Sequence, residues 1–590
     1  MNKKLSLLIT TVILGAGAAG GYVYYQHQAE KLEIQYMNVK RLFDDEKYHE
    51  ALSQFQPLAE QGHALSQFTL YKMYAEGKGV RYNLEQAVFW LQKAAENGEA
   101  DAQAILARHY RQGKGINHDL KLAVHWLEKA AKANHSEALN HLGELYRDGI
   151  GVQKNIKKAV ELFEKSAEQN NADANWNLAL LYKEGDGVEK DEEKFNKCKA
   201  TAAHWGNKDA QYYFGRESYK LAQETEKLFG DTSLYKLAID FITKAAEQDH
   251  ADAQYLLAEI YYDSKGVEKN LYRAAKWYEK AAENGNKDSY FRLGYMYDAG
   301  EGVEENEYTA IKWYKKAADN GNKTAQFNLA LIYAEQQKGK EAVQLLLPLA
   351  EEGHYKAQDI LGDIYKNGDG VARDYAEAAK WYQKAVDQGY DVSQVELGLL
   401  YENGNGVKQD KAKAVELYRK AANKGNQYAQ VNLGFMYETG QGIAQDDKQA
   451  VSWYEKSANQ GNVRAMKLLA NLYLDGKGVT KSEKKAIEWY EKAANKGDSD
   501  AQFELGLRYA NGDGVPQNHA KAIEWYRKAA LQGNGGAWNN LAVLKANGYP
   551  VESLYYHSQS FIFVRQMYEQ ACKLGDQKGC ENYKNYKGLY

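Results

Sequence analysis

Aromatic, small and polar residues recur at a fixed spacing along most of this chain. Tryptophans stand 36 residues apart in four pairs: Trp90 and Trp126, Trp277 and Trp313, Trp453 and Trp489, and Trp489 and Trp525. A period of this length is typical of stacked copies of one small supersecondary unit. Each copy packs only on its neighbours, so a chain of 590 residues needs no single large core.

The unit that begins at Ser289 shows the pattern in full. Its first half has a small residue, a leucine, a second small residue and a tyrosine, at Ser289, Leu293, Gly294 and Tyr297. At about 100° per residue these positions share one face of a helix. Its second half again has helical spacing, at Ala310, Trp313, Ala317 and Gly321. Each unit is therefore predicted to be a helix A, a loop, a helix B and a turn.

The loop and the start of helix B carry their own signals. The loop contains Gly-x-Gly-Val in most units, as expected where a chain leaves a helix in the left-handed conformation. Seven residues before the tryptophan position, eleven units have a residue that can cap a helix: Asn83, Asp119, Asn155, Asp191, Asn270, Asn306, Asp374, Asp410, Asp446, Ser482 and Asn518. Such side chains accept the backbone N–H groups that a helix start leaves unpaired. These caps predict where each helix B begins.

Helix A is predicted to lie very close to another helix. Its second small position is glycine in six units: Gly143, Gly294, Gly362, Gly398, Gly434 and Gly506. Glycine inside a helix costs about 1 kcal/mol relative to alanine, so its recurrence indicates a close backbone approach. The tryptophan of helix B is predicted to be buried, and its replacement by alanine would then cost about 3–5 kcal/mol.

The spacing predicts about fourteen helix pairs between residues 64 and 575. It breaks at three units: a long one after Cys198 with a polar insertion around residues 223–231, a short one after Trp313, and a long last one. The short unit carries Pro348 to His354, a close copy of Pro57 to His63, which indicates a joint near residue 350. We predict five segments: a signal or anchor over 1–30, capping helices over 31–63, arrays over 64–350 and 351–575, and a capping segment over 576–590.

The N-terminus has the features of an export signal. Lys3 and Lys4 precede an uncharged stretch from Leu5 to Tyr25, which has about the length that spans a bilayer core. It is either a signal peptide, cleaved near residues 16–18, or an uncleaved signal anchor. We favour the anchor, because apolar character persists up to Tyr25 and tyrosine suits the membrane–water interface. Both interpretations export everything after about residue 26.

Two of the three cysteines are candidates for a disulfide. Cys572 and Cys580 lie eight residues apart across a turn centred on Gly575. A bond between two helices around such a turn is geometrically plausible and fits an oxidising compartment. The alternative is that both are unpaired small apolar residues. Cys198 stands at a tryptophan position and is predicted to be buried and inert.

Composition and motifs give no sign of catalysis. The net charge of −4 argues against a broad surface for nucleic acid. Residues 15–20 match a dinucleotide fingerprint, but no strand precedes them. Ser482-Glu-Lys-Lys485 matches a motif of penicillin-interacting enzymes, but Ser482 stands at a cap position shared with ten other units. No spacing typical of a zinc site occurs, and His135 and His141 are predicted to be surface residues. We expect no catalytic residue, metal or cofactor.

The consensus of the units closely resembles the Sel1-like repeat (SLR). It reads Ala-x-x-x-Leu-Gly-x-x-Tyr, then Gly-x-Gly-Val, then Ala-x-x-Trp-Tyr-x-Lys-Ala-Ala-x-x-Gly, and covers nearly everything after residue 45. The resemblance implies an all-α, right-handed superhelical solenoid of antiparallel helix pairs and a role in protein–protein interaction. Ala571-Cys572 and Gly579-Cys580 also resemble the cysteine-rich bacterial branch, whose repeats carry a disulfide at this spacing.

An export signal on such an array looks bacterial. We therefore expect a single-pass inner-membrane protein with its array in the periplasm, or a soluble periplasmic protein after cleavage. Only the N-terminal segment is expected to contact the membrane.

A partner is expected on the concave face that helices A build in such arrays. The residues opposite the packed side give these candidates: Asn177, Leu180, Arg292, Tyr295, Asn328, Leu331, Glu396, Leu399, Asn432 and Phe435. An apolar stripe with interspersed asparagines and charges is typical of a peptide groove. The alternative is that many of these side chains pack on the neighbouring helix A.

The leading functional hypothesis is a non-catalytic scaffold or adaptor that binds a protein or peptide in the bacterial envelope. A second hypothesis is an immunity or inhibitor protein that blocks a secreted, envelope-acting effector. The third, from a different class, is an enzyme that binds or hydrolyses β-lactams.

Overall fold

The computed structural model describes residues 19–551 and 560–586. These residues form 31 α-helices, and no strand occurs among them. The first eighteen residues, which hold most of the candidate signal segment from Leu5 to Tyr25, lie outside the described part. No helix in the described ranges is long and apolar enough to cross a membrane.

The chain divides into two compact units, residues 1–313 and 314–590. The helices that begin in the first unit are α1 Ala19–Asp44, α2 Tyr48–Glu60, α3 Ala64–Glu76, α4 Leu84–Glu96, α5 Ala100–Gln112, α6 Leu120–Lys132, α7 Ser136–Asp148, α8 Ile156–Ala167, α9 Ala172–Glu184, α10 Glu192–His204, α11 Lys208–Phe229, α12 Ser233–Glu247, α13 Ala251–Asp263, α14 Leu271–Glu283, α15 Asp288–Ala299 and α16 Glu307–Asp319. The predicted joint near residue 350 falls inside the second unit, so this division lies about one repeat earlier.

The helices of the second unit are α17 Lys323–Glu335, α18 Gly339–Glu351, α19 Tyr355–Asn367, α20 Tyr375–Asp387, α21 Asp391–Asn403, α22 Lys411–Asn423, α23 Gln427–Thr439, α24 Asp447–Asn459, α25 Val463–Asp475, α26 Glu483–Asn495, α27 Ser499–Asn511, α28 His519–Leu531, α29 Gly535–Ala546, α30 Ser560–Lys573 and α31 Gln577–Asn585. Along the chain, helices A and B alternate fourteen times from α3 to α30, as the sequence predicts. Each helix packs on the next one in chain order, from α1 to α15 in the first unit and from α17 to α31 in the second. The fold is therefore all-α, with helix pairs stacked as in a solenoid.

The predicted helix boundaries have the expected physical causes. All eleven cap residues accept a backbone N–H with their side chains; Asp410, for example, accepts from Lys413 over 2.9 Å. The first loop glycine ends helix A in the left-handed conformation, as at Gly404 with φ of +76°. The second, Gly406, also has positive φ, and a Cβ there would overlap the backbone of Tyr375 at the start of the preceding helix B. Loop closure and repeat stacking therefore both require glycine.

The glycines inside helix A face an aromatic ring of helix B. A Cβ on Gly434 would lie 2.6 Å from Tyr454, and one on Gly143 would lie 2.6 Å from Phe163. The predicted close approach is confirmed, and its cause is a helix B ring that lies against the helix A backbone.

The predicted burial of the tryptophans is wrong for most units. Trp90 and Trp381 are buried, but six others are only half-buried: Trp126, Trp277, Trp313, Trp453, Trp489 and Trp525. The fully buried residue is the tyrosine that follows, at Tyr278, Tyr382, Tyr418, Tyr454 and Tyr526. The tryptophan lies at the edge of the core under a lysine three residues on, such as Lys492, whose Nζ is 3.6 Å from the Trp489 ring centre.

The predicted polar insertion around residues 223–231 is mostly helical. Helix α11 continues to Phe229 and is 22 residues long, so the extra residues lengthen a helix A rather than a loop. Ser233 begins the next helix. At the other end of the chain, the structure joins Cys572 and Cys580 in a disulfide with a Cα–Cα distance of 4.4 Å, which ties α31 to α30. Cys198 is half-buried, and burial raises the pKa of its thiol.

Candidate functional site

The first-unit candidates on helix A are largely occupied by contacts within the protein. Asn177 is buried, accepts from Arg147 over 2.8 Å and donates to Asn140 over 3.0 Å. Its amide therefore links α7 to α9 and has little capacity left for a ligand. Leu180, one turn further on, is half-buried.

Arg292 is likewise engaged. Its guanidinium meets the two carboxylate oxygens of Glu259 at 2.8 and 2.9 Å and lies over the ring of Tyr262. Burial alone would lower the pKa of Arg292, but the Glu259 carboxylate raises it overall. Tyr295 remains exposed beside this pair.

In the second unit, the four candidates Glu396, Leu399, Asn432 and Phe435 lie on two consecutive helices A, α21 and α23. Glu396, Leu399 and Asn432 line a cavity of about 850 Å³ that reaches α25. A second cavity of about 430 Å³, towards the C-terminal end of α21, shares Glu396 and Leu399 with the first. The two cavities adjoin at these shared residues, and we call them together the A-face groove. The other second-unit candidates lie on α17, where Asn328 donates to the hydroxyl of Tyr314 over 3.3 Å and Leu331 is half-buried.

The A-face groove has an apolar floor. Val395 and Val431 are buried beneath it, and Leu399 is half-buried between them. At the rim, Val392 and Tyr428 are 39% and 63% exposed. Phe435 packs beside Leu399 against the same core cluster. A concave apolar strip of this kind can bury side chains of another chain.

Charges are concentrated at the end of the groove near α19. Lys366 donates to Asp363 and to Glu396, each over 2.8 Å. Burial alone would lower the pKa of Lys366, but these two carboxylates raise it. Burial raises the pKa of the neighbouring Asp359 to about 6, although the Ser393 hydroxyl donates to it over 2.5 Å. Glu396 thus forms an ion pair within the protein.

Asn432 differs from its counterparts. Nothing in the described ranges forms a hydrogen bond with its side-chain amide, which lines the groove. An amide offers both donors and an acceptor, the groups that the backbone of an extended peptide needs. Among the predicted polar candidates, Asn432 is the side chain best suited to contact a ligand.

A recurring set of glutamine hydrogen bonds between helices was not predicted from the sequence. A glutamine at the fourth residue of helix A donates to a carbonyl near the end of the preceding helix B in seven repeats: Gln67, Gln103, Gln211, Gln254, Gln358, Gln430 and Gln502. Several of them accept from the residue 30 positions later, as Gln430 does from Gln460 over 2.8 Å. The recurring Ala-Gln pair was the available signal.

The histidine directly before helix A also has a structural role that was not predicted from the sequence. His135 was predicted to be a surface residue, but it caps α7: its Nδ1 accepts from the Ala138 amide over 3.1 Å, and its Nε2 lies 2.8 Å from Asp101. His63 and His250 occupy the same place, and burial lowers the pKa of both. An imidazole can accept at Nδ1 only when it is neutral, so the caps at His63 and His250 are sensitive to acid.

The motifs that could indicate a metal site or an enzyme were compared with the geometry of the described residues. No cluster of His, Cys, Asp and Glu there is arranged to hold a metal ion. The Ser482 hydroxyl accepts the Lys485 amide over 3.3 Å, so its cap role explains the Ser-x-x-Lys match.

The family of the chain is shown by repeat matches along its length. The Sel1 repeat matches twelve segments: residues 64–99, 100–135, 136–171, 172–194, 219–250, 251–286, 287–322, 356–390, 391–426, 427–462, 463–498 and 499–534. The chain belongs to the Sel1 repeat family. Proteins of this family typically mediate protein–protein interaction, and their solenoids are generally non-catalytic.

Several solved structures of bacterial proteins are similar to this chain. A protective antigen of uropathogenic Escherichia coli with an SLR fold is 27% identical over 91% of this chain and 98% of its own, with a TM-score of 0.34. A Sel1 repeat protein from Oxalobacter formigenes is 30% identical over 42% of this chain and 99% of its own, with a TM-score of 0.37. An immunity protein from Pseudomonas aeruginosa is 23% identical over 41% of this chain and 89% of its own, with a TM-score of 0.24. The comparison with curated proteins found no match. Since these TM-scores lie below 0.5, the family assignment rests on the repeat matches.

Proposed function

We propose that this protein is a non-catalytic scaffold of the cell envelope that binds an extended segment of a partner protein in the A-face groove. The observation that carries the proposal is the convergence of Glu396, Leu399 and Asn432 on one cavity. Apolar side chains of the segment would cover Val395 and Leu399, and the Asn432 amide would bond its backbone. Grooves of this kind gain affinity from a few buried anchors.

The envelope location rests on the sequence alone. The uncharged stretch from Leu5 to Tyr25 after Lys3 and Lys4 supports export, with the segment kept as a single-pass anchor or removed. Protease added to spheroplasts should then degrade the array while a cytoplasmic marker survives. The N-terminal residue of the purified mature protein separates anchor from cleaved signal. An array that survives protease in intact spheroplasts would refute the location.

Site-specific photo-crosslinking in intact cells tests the groove. The photoreactive amino acid p-benzoylphenylalanine replaces Tyr428, which is 63% exposed at the groove rim, or Tyr272, which is 62% exposed on a helix B and serves as the matched control. We expect one defined adduct from position 428 and not from 272. The adduct should disappear when the substitution Leu399→Glu is combined with the photoreactive residue at position 428. The circular dichroism spectrum of the protein should stay unchanged. Equal adducts from both positions, or an adduct insensitive to Leu399→Glu, would refute the groove.

The same adduct separates the remaining hypotheses. A secreted envelope-acting enzyme in the adduct would identify the immunity role, and another envelope protein would identify the scaffold role. Covalent labelling of the purified protein by a fluorescent penicillin would contradict a non-catalytic function.

A further inference from the structure

The rim of the A-face groove on α25 carries hydrogen-bond donors without acceptors. Arg464 is exposed and lines the groove with Asn462 and Asn432. The side-chain oxygen Oδ1 of Asn462 accepts the backbone N–H of Ala465 over 3.0 Å. Over residues 19–551 and 560–586, however, neither its NH₂ group nor the guanidinium of Arg464 has a hydrogen-bond partner. Together with the Asn432 amide, three donor side chains surround one opening.

In three other repeats the equivalent asparagine has a carboxylate acceptor. The asparagine that caps helix A donates to a carboxylate at the start of the preceding helix A: Asn207 to Asp173, Asn286 to Asp252, and Asn426 to Asp391, over 2.7–2.8 Å. The position 36 residues after Asp391 is Gln427, which has no carboxylate. The internal carboxylate that engages Asn426 therefore has no counterpart for Asn462.

The charged residues near this rim favour the binding of a carboxylate that belongs to another molecule. Asp391 is the nearest acid on α21, and it is engaged by Asn426 over 2.7 Å. On α27 and its cap, Asp498 and Asp500 share Lys467, at 3.0 and 2.9 Å. On α23, Glu438 accepts the Tyr454 hydroxyl over 2.7 Å, and the charge of Arg464 acts on that same tyrosine. Among the described residues, Arg464 thus forms no ion pair, and it lies beside an apolar floor.

Glu396, which lines both cavities, does not compete for this cation. It is held by Lys366 over 2.8 Å. Arg373 lines the smaller cavity as well, so the groove lining carries three cations and one paired acid. An apolar strip with a net positive lining complements a peptide that is apolar and acidic.

We propose that the A-face groove selects a short extended segment with alternating apolar side chains and an aspartate or glutamate at one end. The apolar side chains lie over Val395, Leu399 and Val431, and the carboxylate meets Arg464 and the Asn462 amide. An exposed carboxylate–guanidinium pair contributes up to about fivefold in affinity, so the acid sets preference and orientation while the apolar residues supply most of the binding. This inference rests on the proposed function and adds the chemistry of the partner.

Peptide display on the immobilised full-length protein tests the inference. A random twelve-residue library is selected on the wild type, on Arg464→Glu, and on Arg419→Glu as a charge-reversal control on a helix B. We expect Asp or Glu at a fixed distance from two apolar positions on the wild type and on the control, and Lys or Arg at that place on Arg464→Glu. Selection without an acidic preference, or with an unchanged preference on Arg464→Glu, overturns the inference.

A binding measurement gives the magnitude. The strongest selected peptide and its Asp→Lys version are compared by fluorescence anisotropy on the wild type and Arg464→Glu. Each single change should weaken binding about fivefold, and the double change should recover most of that loss. If the double change weakens binding by the product of the two single effects, the inference is overturned.

Failure of the groove itself looks different from failure of the acidic preference. If Leu399→Glu abolishes selection while Arg464→Glu leaves the peptides unchanged, the proposed function stands and the acidic preference falls. If Leu399→Glu leaves selection unchanged, or if the wild type selects no peptide, both the proposed groove function and the acidic preference are refuted.

Discussion

The tyrosine after each tryptophan should carry most of the stability of its helix pair. Tyr454 is fully buried, its ring lies against Gly434, and its hydroxyl donates to Glu438 over 2.7 Å. Truncation of a fully buried large aromatic side chain costs about 3–5 kcal/mol. Loss of the hydrogen bond adds about 1 kcal/mol. We expect Tyr454→Ala to lower the free energy of unfolding by about 4 kcal/mol or more.

The adjacent tryptophan is the matched comparison, because it lies on the same helix and is larger. Trp453 is only half-buried, and Lys456 lies over its ring with Nζ 3.8 Å from the centre. A partly exposed cation–π contact contributes about 0.5–1 kcal/mol, and the buried half of the ring adds a similar amount. We expect Trp453→Ala to cost about 1–2 kcal/mol, less than half the effect of Tyr454→Ala.

The measurement must be local, because a repeat array can unfold one part at a time. Native-state hydrogen exchange of the amides in α23 and α24 gives the opening free energy of this pair, and urea unfolding gives the effect on the array. Tyr454→Phe, which keeps the ring, should cost only about 1 kcal/mol. If Trp453→Ala destabilises the pair as much as Tyr454→Ala does, the assignment of the core to the tyrosine is refuted.

Three further outcomes are expected. Burial lowers the pKa of His250, so the unfolded chain binds its proton more tightly and stability falls as pH drops below about 6.5. His250→Asn should reduce the loss of unfolding free energy below pH 6.5, despite the nearby Asp209. An unchanged dependence of that free energy on pH would contradict this prediction. Burial raises the pKa of Asp359 to about 6, so its contribution is lost as pH rises through 6; thermal melts of Asp359→Asn should show stabilisation at pH 8 but little at pH 4. The bond between Cys572 and Cys580 closes a loop of eight residues, so Cys580→Ser should cost about 2–3 kcal/mol; hydrogen exchange should accelerate in α31, and unchanged protection there contradicts it.

The sequence was sufficient for the fold because each helix boundary has a local cause. An aspartate such as Asp410 caps helix B with its own side chain, and a glycine such as Gly404 ends helix A with its own φ angle. Neither depends on contacts with distant parts of the chain. The order and approximate number of the helix pairs, and the start of each capped helix B, could therefore be predicted from the sequence, whereas the extension of α11 to Phe229 could not.

Side-chain burial could not be predicted to the same degree. Trp453 and Tyr454 are neighbours on one helix, 100° apart, and both are aromatic. Which of them faces helix A depends on the rotation of helix B within the pair. The glycine at Gly434 fixes that rotation through the Tyr454 ring, a relation between two helices that spacing alone does not show.

The candidate site was predicted as a row of equivalent positions, and the structure shows that they are not equivalent. Asn177 and Asn432 occupy the same repeat position, but only Asn177 has partners, because Arg147 and Asn140 are long or close enough to reach it. The periodic pattern finds the face of the array. The neighbours that differ from repeat to repeat determine whether a polar side chain on that face is available.

Ligand binding in such an array is therefore expected where the repeat departs from its own consensus. The polar side chains that recur, such as Asn426 with Asp391, satisfy one another and hold successive repeats in register. A repeat in which the acceptor is replaced, as at Gln427, leaves its donors to another molecule, because an unpaired polar group beside an apolar surface gains free energy from a partner. Substituting Gln427 by aspartate would restore the internal acceptor for Asn462. If the donors serve the partner, this substitution should weaken the selected peptides without weakening the fold, whereas a purely apolar groove would bind them as before.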